Sequence, residues 1–503
     1  MASKSKRHII LMLEIFIFAA AGVATTHWLP ITDAIQFVLA LLVAYAVPKA
    51  VLLGAGRRWN DGGNTPAPQF VLLLALAACA CCAISSLHGW LAHGGTLQHP
   101  CTHSDETKYF IWALHYYEGS GDLPVITFPG FPLMMVAMWK VLGVSVLWPM
   151  ALNAMFTMLS VVTVGLTTAR ALHHRVDEGN TRLVAAGMLG ACLLCFYLSH
   201  STQLLKEPSI YFAVALAGYV MTTLGDDAGK PLPALLSITL WTLACVIAAL
   251  VRATYVYFLL LAVALLLAGR WRAHRSTLLT MGIIAAAALL LGNQLADFSL
   301  QRQTSVIGGG AGMQNNYILP NQQPYLKLLG YYFYYPVWLR LLLLPLTAAV
   351  QFVIPFPWVT DSGMSLSNVF PRIQWGWYAI GGTALYYYLT RLKKLPSWLK
   401  HPTAPQGLGM LAWWAALCFL IIAYVIAGAV SRYVLPFEPL FIPVAIYVWH
   451  TQRRSKGFKR WGWLYVIVLL ATLAVCFVIQ SGYMNALQDH YDTVRRIYQT
   501  IRQ

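Results

Sequence analysis

Long apolar runs separated by short polar segments dominate the chain. A helix needs about 20 mostly apolar residues to cross a bilayer, and runs of that length favour helices over strands. Runs that can cross lie at 9–29, 33–53, 69–90, 146–171, 182–200, 208–224, 233–251, 254–269, 276–296, 374–391, 407–428, 434–450 and 461–481. The pattern predicts an all-α polytopic membrane protein of about 13 transmembrane helices, with residues 1–503 forming a single membrane domain.

The composition and the distribution of charge support this class. Hydrophobic residues make up 59% of the chain and charged residues 10%, which excludes an ordinary soluble domain. The net charge is +17, but the basic residues lie in short clusters between apolar runs, so no nucleic-acid partner is expected. Most of them fall in loops on one side, which predicts that 391–406 and 451–460 are cytoplasmic. No Asn-X-Ser/Thr sequon occurs, which favours a bacterial inner membrane.

Two long loops, 91–145 and 297–373, are predicted on the outer face. The first contains a helical pattern over Tyr109–Tyr117 and a second apolar stretch over Phe131–Leu142. The second contains 336–354, which is apolar enough to be a span. A span there would put the later basic loops outside, so this segment is interpreted as a re-entrant or interfacial helix.

The first outer loop carries an acidic pair, Asp105 and Glu106, soon after the span 69–90. A carboxylate beside low-dielectric surroundings can act as a general base toward a hydroxyl. The alternative is structural, because an acidic residue at a helix start caps it and suits its positive end. A divalent cation held by His103 and Asp105 is a further alternative, although the spacing matches no compact metal motif. No cofactor is therefore required.

Cationic residues lie at the predicted outer ends of several spans. Arg252 stands between two spans with almost no loop, and Arg432-Tyr433 precedes another. Arginine at such depth is costly unless paired, and a phosphate is an apt partner for its bidentate fork. A local carboxylate or a lipid phosphate is the alternative. Lys206-Glu207 either lines a polar cleft or forms a local ion pair. Further candidates for substrate contacts are Tyr255, Arg340 and Arg372, with His103, Glu207 and Tyr433.

The order of these features resembles that of GT-C glycosyltransferases, polytopic enzymes that take a sugar from a polyprenyl-phosphate carrier at the outer or lumenal face. The elements that carry the resemblance are Asp105-Glu106, the helix over Tyr109–Tyr117, the turn Phe128-Pro129-Gly130-Phe131-Pro132, the apolar helix Leu133–Gly143, and the span 146–171 with Arg170. The likeness is closest to the protein-mannosyltransferase-like and the lipid A or core sugar-transferase branches.

The resemblance implies an inverting sugar transfer at the periplasmic face. It implies that Asp105 and Glu106 are the catalytic residues, with Asp105 as the base, while Arg252, Arg432 and Lys206 are expected to bind the donor phosphate. The partners would be a polyprenyl-phosphate-linked sugar, a glycan, lipid or protein acceptor, and membrane lipids.

Two other functions stay open. The acidic pair follows the third span, whereas in many relatives it follows the first, and the loop lacks a Lys-Pro-Pro signature. A polysaccharide polymerase or ligase with a polyprenyl-diphosphate donor is therefore one alternative. A lipid or solute transporter is the other, although no internal repeat is visible and the charges gather at the outer face, unlike the midplane sites of transporters.

The topology is testable by cysteine labelling in a variant without the native cysteines. We expect Ser455→Cys to escape a membrane-impermeant maleimide in intact cells, because 451–460 is predicted to be cytoplasmic. Ser120→Cys, in the first outer loop, is the matched control and should react. Labelling of position 455 from outside would contradict both the orientation and the interpretation of 336–354.

Overall fold

The structure is a computed structural model that describes residues 2–56, 66–100, 105–119, 130–173, 176, 179–194, 198–225, 232–296, 336–353, 374–392, 406–426 and 433–475. Within these residues all regular secondary structure is helical. The helices are α1 (Ala2–Thr25), α2 (Ile31–Gly56), α3 (Ala67–Ala92), α4 (Asp105–Glu118), α5 (Gly130–Leu142), α6 (Leu147–Leu172), α7 (Asn180–Cys192), α8 (Glu207–Gly225), α9 (Ala234–Arg252), α10 (Thr254–Ala296), α11 (Val337–Leu342), α12 (Leu344–Val353), α13 (Trp375–Leu392), α14 (Gln406–Ile426), α15 (Phe441–Gln452) and α16 (Lys456–Val475).

In the part of the chain that the structure describes, nine helices are long and apolar enough to cross a membrane. They are His8–Thr25, Ile31–Gly56, Ala67–Ala92, Leu147–Leu172, Glu207–Gly225, Ala234–Arg252, Ala273–Gly292, Gly407–Val425 and Lys456–Val475. Each matches one of the predicted spans. The all-α, multi-pass character is therefore confirmed, whereas the full count of about 13 spans stays a prediction.

Two of the remaining predicted spans, 182–200 and 434–450, take shorter forms. In the run 182–200, α7 ends at Cys192. The run 434–450 begins with turns and a 3-10 helix over Glu438–Leu440, and α15 starts only at Phe441. Prolines explain this second delay, because Pro436 and Pro439 cannot donate a backbone hydrogen bond. The runs 254–269 and 276–296 form one helix, α10, kinked at His274.

The described part of the first outer loop contains the two helices expected there. α4 includes Tyr109–Tyr117, and α5 ends at Leu142, just before Gly143, which has a φ of +82°. Glycine adopts such a left-handed angle without steric cost and so ends the helix. In the second loop, 336–354 forms α11 and α12, of 6 and 10 residues. Each is shorter than a spanning helix needs, and their place in the membrane stays a prediction.

The chain divides into two units. The first comprises 1–299, 357–418 and 434–452, and the second comprises 300–356, 419–433 and 453–503. In the first unit α8 is the most enclosed helix, since every residue except Tyr219 is buried. Its C-terminal carbonyl at Gly225 accepts a hydrogen bond from the buried guanidinium of Arg270. In the second unit the guanidinium of Arg340 lies 5.4 Å from the ring centroid of Tyr424.

Helices α1 and α2 of the first unit are joined by an ion pair. The Glu14 carboxylate on α1 accepts hydrogen bonds from Tyr45 Oη at 2.8 Å and Lys49 Nζ at 2.6 Å, both on α2. Glu14 is buried, so its charge needs this partner in a low-dielectric bundle. The pair therefore fixes the register of α1 against α2.

A close approach of α5 to α9 gives a stability prediction. A Cβ atom on Gly130 would overlap the carbonyl group of Leu250, so Gly130→Ala should push the helices apart and cost about 1–3 kcal/mol. Gly89→Ala is the matched control, because nothing lies within 4 Å of its Cβ position inside α3. Unfolding of the purified variants in mixed micelles measures both. Equal stability of the two variants would contradict the close packing of α5 on α9.

Candidate functional site

The first turn of α4 lies against the chain just before α8. Buried residues of α4 occur at Glu106, Tyr109, Phe110 and Ala113, a spacing that puts them on one helix face. Phe110 packs on Trp139 of α5 with ring centroids 4.9 Å apart. This apolar contact buries that face of α4, and Glu106 is buried because it lies on the same face.

The buried carboxylate of Glu106 has a specific backbone partner. Its Oε1 atom accepts a hydrogen bond from the Leu204 amide N–H at 3.1 Å, across 98 residues of sequence. A buried amide without a partner costs about 1–3 kcal/mol, so Glu106 stabilises the non-helical segment 203–205. The contact also brings the acidic end of α4 to within two residues of Lys206.

Asn153 on α6 holds the same segment through its carbonyl groups. Its side-chain amide Nδ2 donates to the Gln203 carbonyl at 2.5 Å and to the Leu205 carbonyl at 2.8 Å. Asn153 is fully buried. Sequence reasoning missed this residue, although an asparagine inside an apolar span is itself a signal, because a buried amide requires partners.

Lys206 follows this segment immediately and is also buried. Its Nζ lies 5.5 Å from the centroid of the Tyr109 ring on α4, a distance suited to a cation–π contact. Its carbonyl accepts a hydrogen bond from Ser209 Oγ at 2.7 Å, at the start of α8. The lysine is therefore placed by both α4 and α8.

An ion pair joins the start of α8 to the end of α9. Arg252 Nη1 lies 3.8 Å from Glu207 Oε1, and the two side chains are 11% and 6% exposed. Each charge also suits the helix end that it occupies, a carboxylate at the N-terminus and a guanidinium at the C-terminus. The structure thus supplies a local carboxylate for Arg252, and a role of Arg252 toward phosphate stays a prediction.

These five residues, Glu106, Asn153, Lys206, Glu207 and Arg252, form one polar cluster, which we call the 206 cluster. It contains two carboxylates and two cations, so its charges balance. Aromatic residues follow the cluster at the start of α10. Three residues after Arg252, the buried Tyr255 ring stacks on Phe437 with centroids 5.9 Å apart and planes at 12°.

The other predicted site residues lie in the second unit, or their side chains lie outside the described part of the chain. Asp105 begins α4, but its side chain lies outside the described part. His103, Arg372 and Arg432 lie entirely outside it. Arg340 and Tyr433 belong to the second unit. Among the described residues, no three His, Cys, Asp or Glu residues are grouped so that they could hold a metal ion. The His103–Asp105 alternative lies outside what the structure describes.

Comparison of the chain with protein-family models, with curated proteins and with solved structures finds no match. Function is therefore inferred from the residues of the 206 cluster and from their placement.

The Glu207–Arg252 pair can be tested by a double-mutant cycle. Arg252→Met leaves the Glu207 carboxylate buried without its cation and should destabilise the protein on the order of 3 kcal/mol. Glu207→Gln combined with Arg252→Met removes both charges and should cost clearly less than the arginine change alone. Chemical unfolding in mixed micelles, followed by tryptophan fluorescence, gives the free energies of unfolding of the wild-type protein, of Arg252→Met, of Glu207→Gln and of the double variant. Additive losses would mean that the pair is not coupled.

Proposed function

We propose that the protein is an integral-membrane glycosyltransferase of the GT-C type, which moves a sugar from a polyprenyl-phosphate carrier to an acceptor hydroxyl at the periplasmic face of a bacterial inner membrane. One observation carries the proposal. α4 contacts the segment before α8 through Glu106 and contacts Lys206 through Tyr109, and α8 begins with the Glu207–Arg252 pair. A general base and cations for a leaving phosphate are the two parts that this transfer requires.

In the proposed reaction Asp105 takes the proton of the acceptor hydroxyl. The acceptor oxygen attacks the anomeric carbon from the side opposite the phosphate, so the configuration inverts. The bond between that carbon and the phosphate oxygen breaks, and polyprenyl phosphate leaves with the electron pair. The products are the glycosylated acceptor, polyprenyl phosphate and a protonated Asp105, which returns its proton to water.

Lys206 and Arg252 have the chemistry to stabilise the leaving phosphate. A guanidinium binds phosphate oxygens through two parallel hydrogen bonds, and an ammonium acts as a point charge. Both cations lie in low-dielectric surroundings, where such interactions are stronger than in water. Glu207 holds Arg252 at the end of α9, so the guanidinium is oriented before the donor arrives. Arg432 is a further candidate for the same phosphate.

Glu106 is given a positioning role rather than a catalytic one. Its carboxylate accepts the Leu204 N–H and so sets the distance between α4, which begins with Asp105, and Lys206. An amide oxygen accepts the same hydrogen bond. The two adjacent acidic residues should therefore differ in their response to an acid-to-amide change.

The test follows release of polyprenyl phosphate by the protein in nanodiscs. Donors are polyprenyl-phosphate hexoses and pentoses with the matching diphosphates, and acceptors are bacterial envelope glycans and lipids. Asp105→Asn should lower release on the order of 100-fold, since an amide cannot take the proton. Glu106→Gln should retain most of the activity. Asp33→Asn, also in the first turn of a helix, is the matched control and should leave activity unchanged.

Each result decides a different part of the proposal. Wild-type release by Asp105→Asn would remove its role as the base. Release only from the diphosphate donors would favour the polymerase or ligase alternative. Absence of release from every donor by the wild-type protein would contradict the enzyme proposal itself.

A transporter of lipid-linked sugar is the second candidate, and one observation favours it. α7 ends at Cys192, and residues 200–206 are non-helical yet mostly buried. Discontinuous helices with buried polar backbone are typical of transport proteins. Movement of an intact lipid-linked sugar across proteoliposomes, without release of polyprenyl phosphate, would select this candidate.

A further inference from the structure

The start of α16 carries a positive charge that no acidic residue nearby in the sequence balances. The basic residues of this segment are Arg453, Arg454, Lys456, Lys459 and Arg460. All of them are exposed, and their side chains make no ion pair with any residue in the described part of the chain. The sequence contains no Asp or Glu between Phe441 and Gln488. The segment therefore presents cations that are available to an external anion.

A serine fixes the point at which α16 begins. Ser455 Oγ accepts a hydrogen bond from the Phe458 N–H at 3.1 Å, and the Ser455 carbonyl accepts one from the Lys459 N–H at 3.2 Å. Serine is a favoured residue for this capping position. Because the helix start is fixed, the direction of each later side chain around the axis follows from the period of 3.6 residues.

One side of α16 packs within the second unit. The Tyr465 ring contacts Phe352 of α12 with centroids 6.5 Å apart, and Leu469 and Leu473 are buried. These three residues of α16 recur at intervals of four, so they lie on the same side of the helix. The opposite side is consequently turned away from this contact.

That opposite side combines cations with exposed apolar residues. Its members have the spacing of one helix face, and we call it the basic face of α16: Lys456, Lys459, Arg460, Trp463 and Ile467. The Trp463 side chain is 75% exposed and that of Ile467 is 62% exposed. The three cations thus lie in line with apolar side chains that no other part of the protein covers.

The order of residues along the basic face matches the layers of a lipid leaflet. With a rise of about 1.5 Å per residue, Trp463 lies about 5 Å beyond Arg460 along the axis, and Ile467 about 10 Å beyond it. Tryptophan is enriched at the level of lipid headgroups, between water and the hydrocarbon. Cations, indole and aliphatic side chain therefore follow one another as phosphate, interface and acyl chains do in a phospholipid.

We infer that the basic face of α16 binds an anionic phospholipid, with the headgroup phosphate at Lys459 and Arg460 and an acyl chain along Trp463 and Ile467. Guanidinium and ammonium groups both bind phosphate oxygens, and basic clusters beside a transmembrane helix are typical of binding to acidic lipids. A zwitterionic headgroup carries its own cation, so the unbalanced charge of the segment favours a headgroup with a net negative charge. This lipid site is independent of the proposed reaction.

Lipid titration of the purified full chain in neutral-detergent micelles tests the inference. The thermal unfolding midpoint is measured against short-chain phosphatidylglycerol, short-chain phosphatidylcholine and inorganic phosphate. We expect a saturable rise with phosphatidylglycerol and a much smaller one with phosphatidylcholine. Inorganic phosphate should give no rise, because it has no acyl chain to pack on Trp463 and Ile467. Added salt should reduce the difference between the two lipids, because it screens exposed charges.

Single substitutions locate the binding. Lys459→Gln and Arg460→Gln should each raise the half-saturating concentration of phosphatidylglycerol about 3- to 10-fold, the scale of one basic residue beside an acidic lipid. Lys140→Gln is the matched control, since it removes one exposed positive charge from α5 in the first unit and should bind as the wild type does. Lys459→Arg keeps the charge and should also retain binding. If a glutamine variant fails to fold, Lys456→Gln on the same face takes its place.

Three outcomes would overturn the inference. Equal midpoint shifts with phosphatidylglycerol and phosphatidylcholine would mean that the headgroup charge is not recognised. A shift with inorganic phosphate as large as that with phosphatidylglycerol would indicate a simple anion site without a lipid chain. Equal half-saturation for the wild type, Lys140→Gln and the variants of the basic face would show that the lipid binds elsewhere on the protein.

Discussion

The site depends on one constraint, which is that the buried, non-helical backbone before α8 needs hydrogen-bond partners. Inside a membrane bundle water is scarce, so every N–H and carbonyl group needs a partner within the protein. Residues 203–205 obtain theirs from Glu106 on α4 and Asn153 on α6. These two side chains replace the hydrogen bonds that a continuous helix would have supplied. The contacts of Glu106 and Asn153 therefore set the positions of Lys206 and of Glu207 at the start of α8.

The balance of charge in the 206 cluster affects how an anion would enter it. The cluster contains two carboxylates and two cations, and Arg252 already has Glu207 at 3.8 Å. A phosphate would therefore have to share the guanidinium rather than neutralise an isolated charge. Sharing weakens affinity, but it spares the protein the cost of holding an unpaired arginine in low-dielectric surroundings. A moderate affinity would suit the proposed carrier lipid, which in the proposed reaction must leave after each turnover.

The sequence predicted the spans that are long and uniformly apolar, since hydrophobic length is a local property. The burial of Glu106 could also be predicted from the sequence, because Glu106, Tyr109, Phe110 and Ala113 have the spacing of one helix face. The contacts of Asn153 could not be predicted, because their partners are 50 and 52 residues away and no periodicity connects them. The end of α7 at Cys192 was missed for the same reason, since tertiary hydrogen bonds make the break tolerable. The chemical roles of Asp105 and Arg432 stay predictions.

The bond between Glu106 and Leu204 also has a consequence for the time at which the protein becomes functional. Its two ends are 98 residues apart, and at typical synthesis rates that length takes roughly 5 to 20 seconds to appear. During that interval α4 has been made, while the segment whose Leu204 N–H donates to the Glu106 carboxylate has not. The nascent chain must keep an acidic, partly apolar helix at the membrane surface until α8 is inserted. Maturation of the site is therefore tied to the order in which helices leave the ribosome.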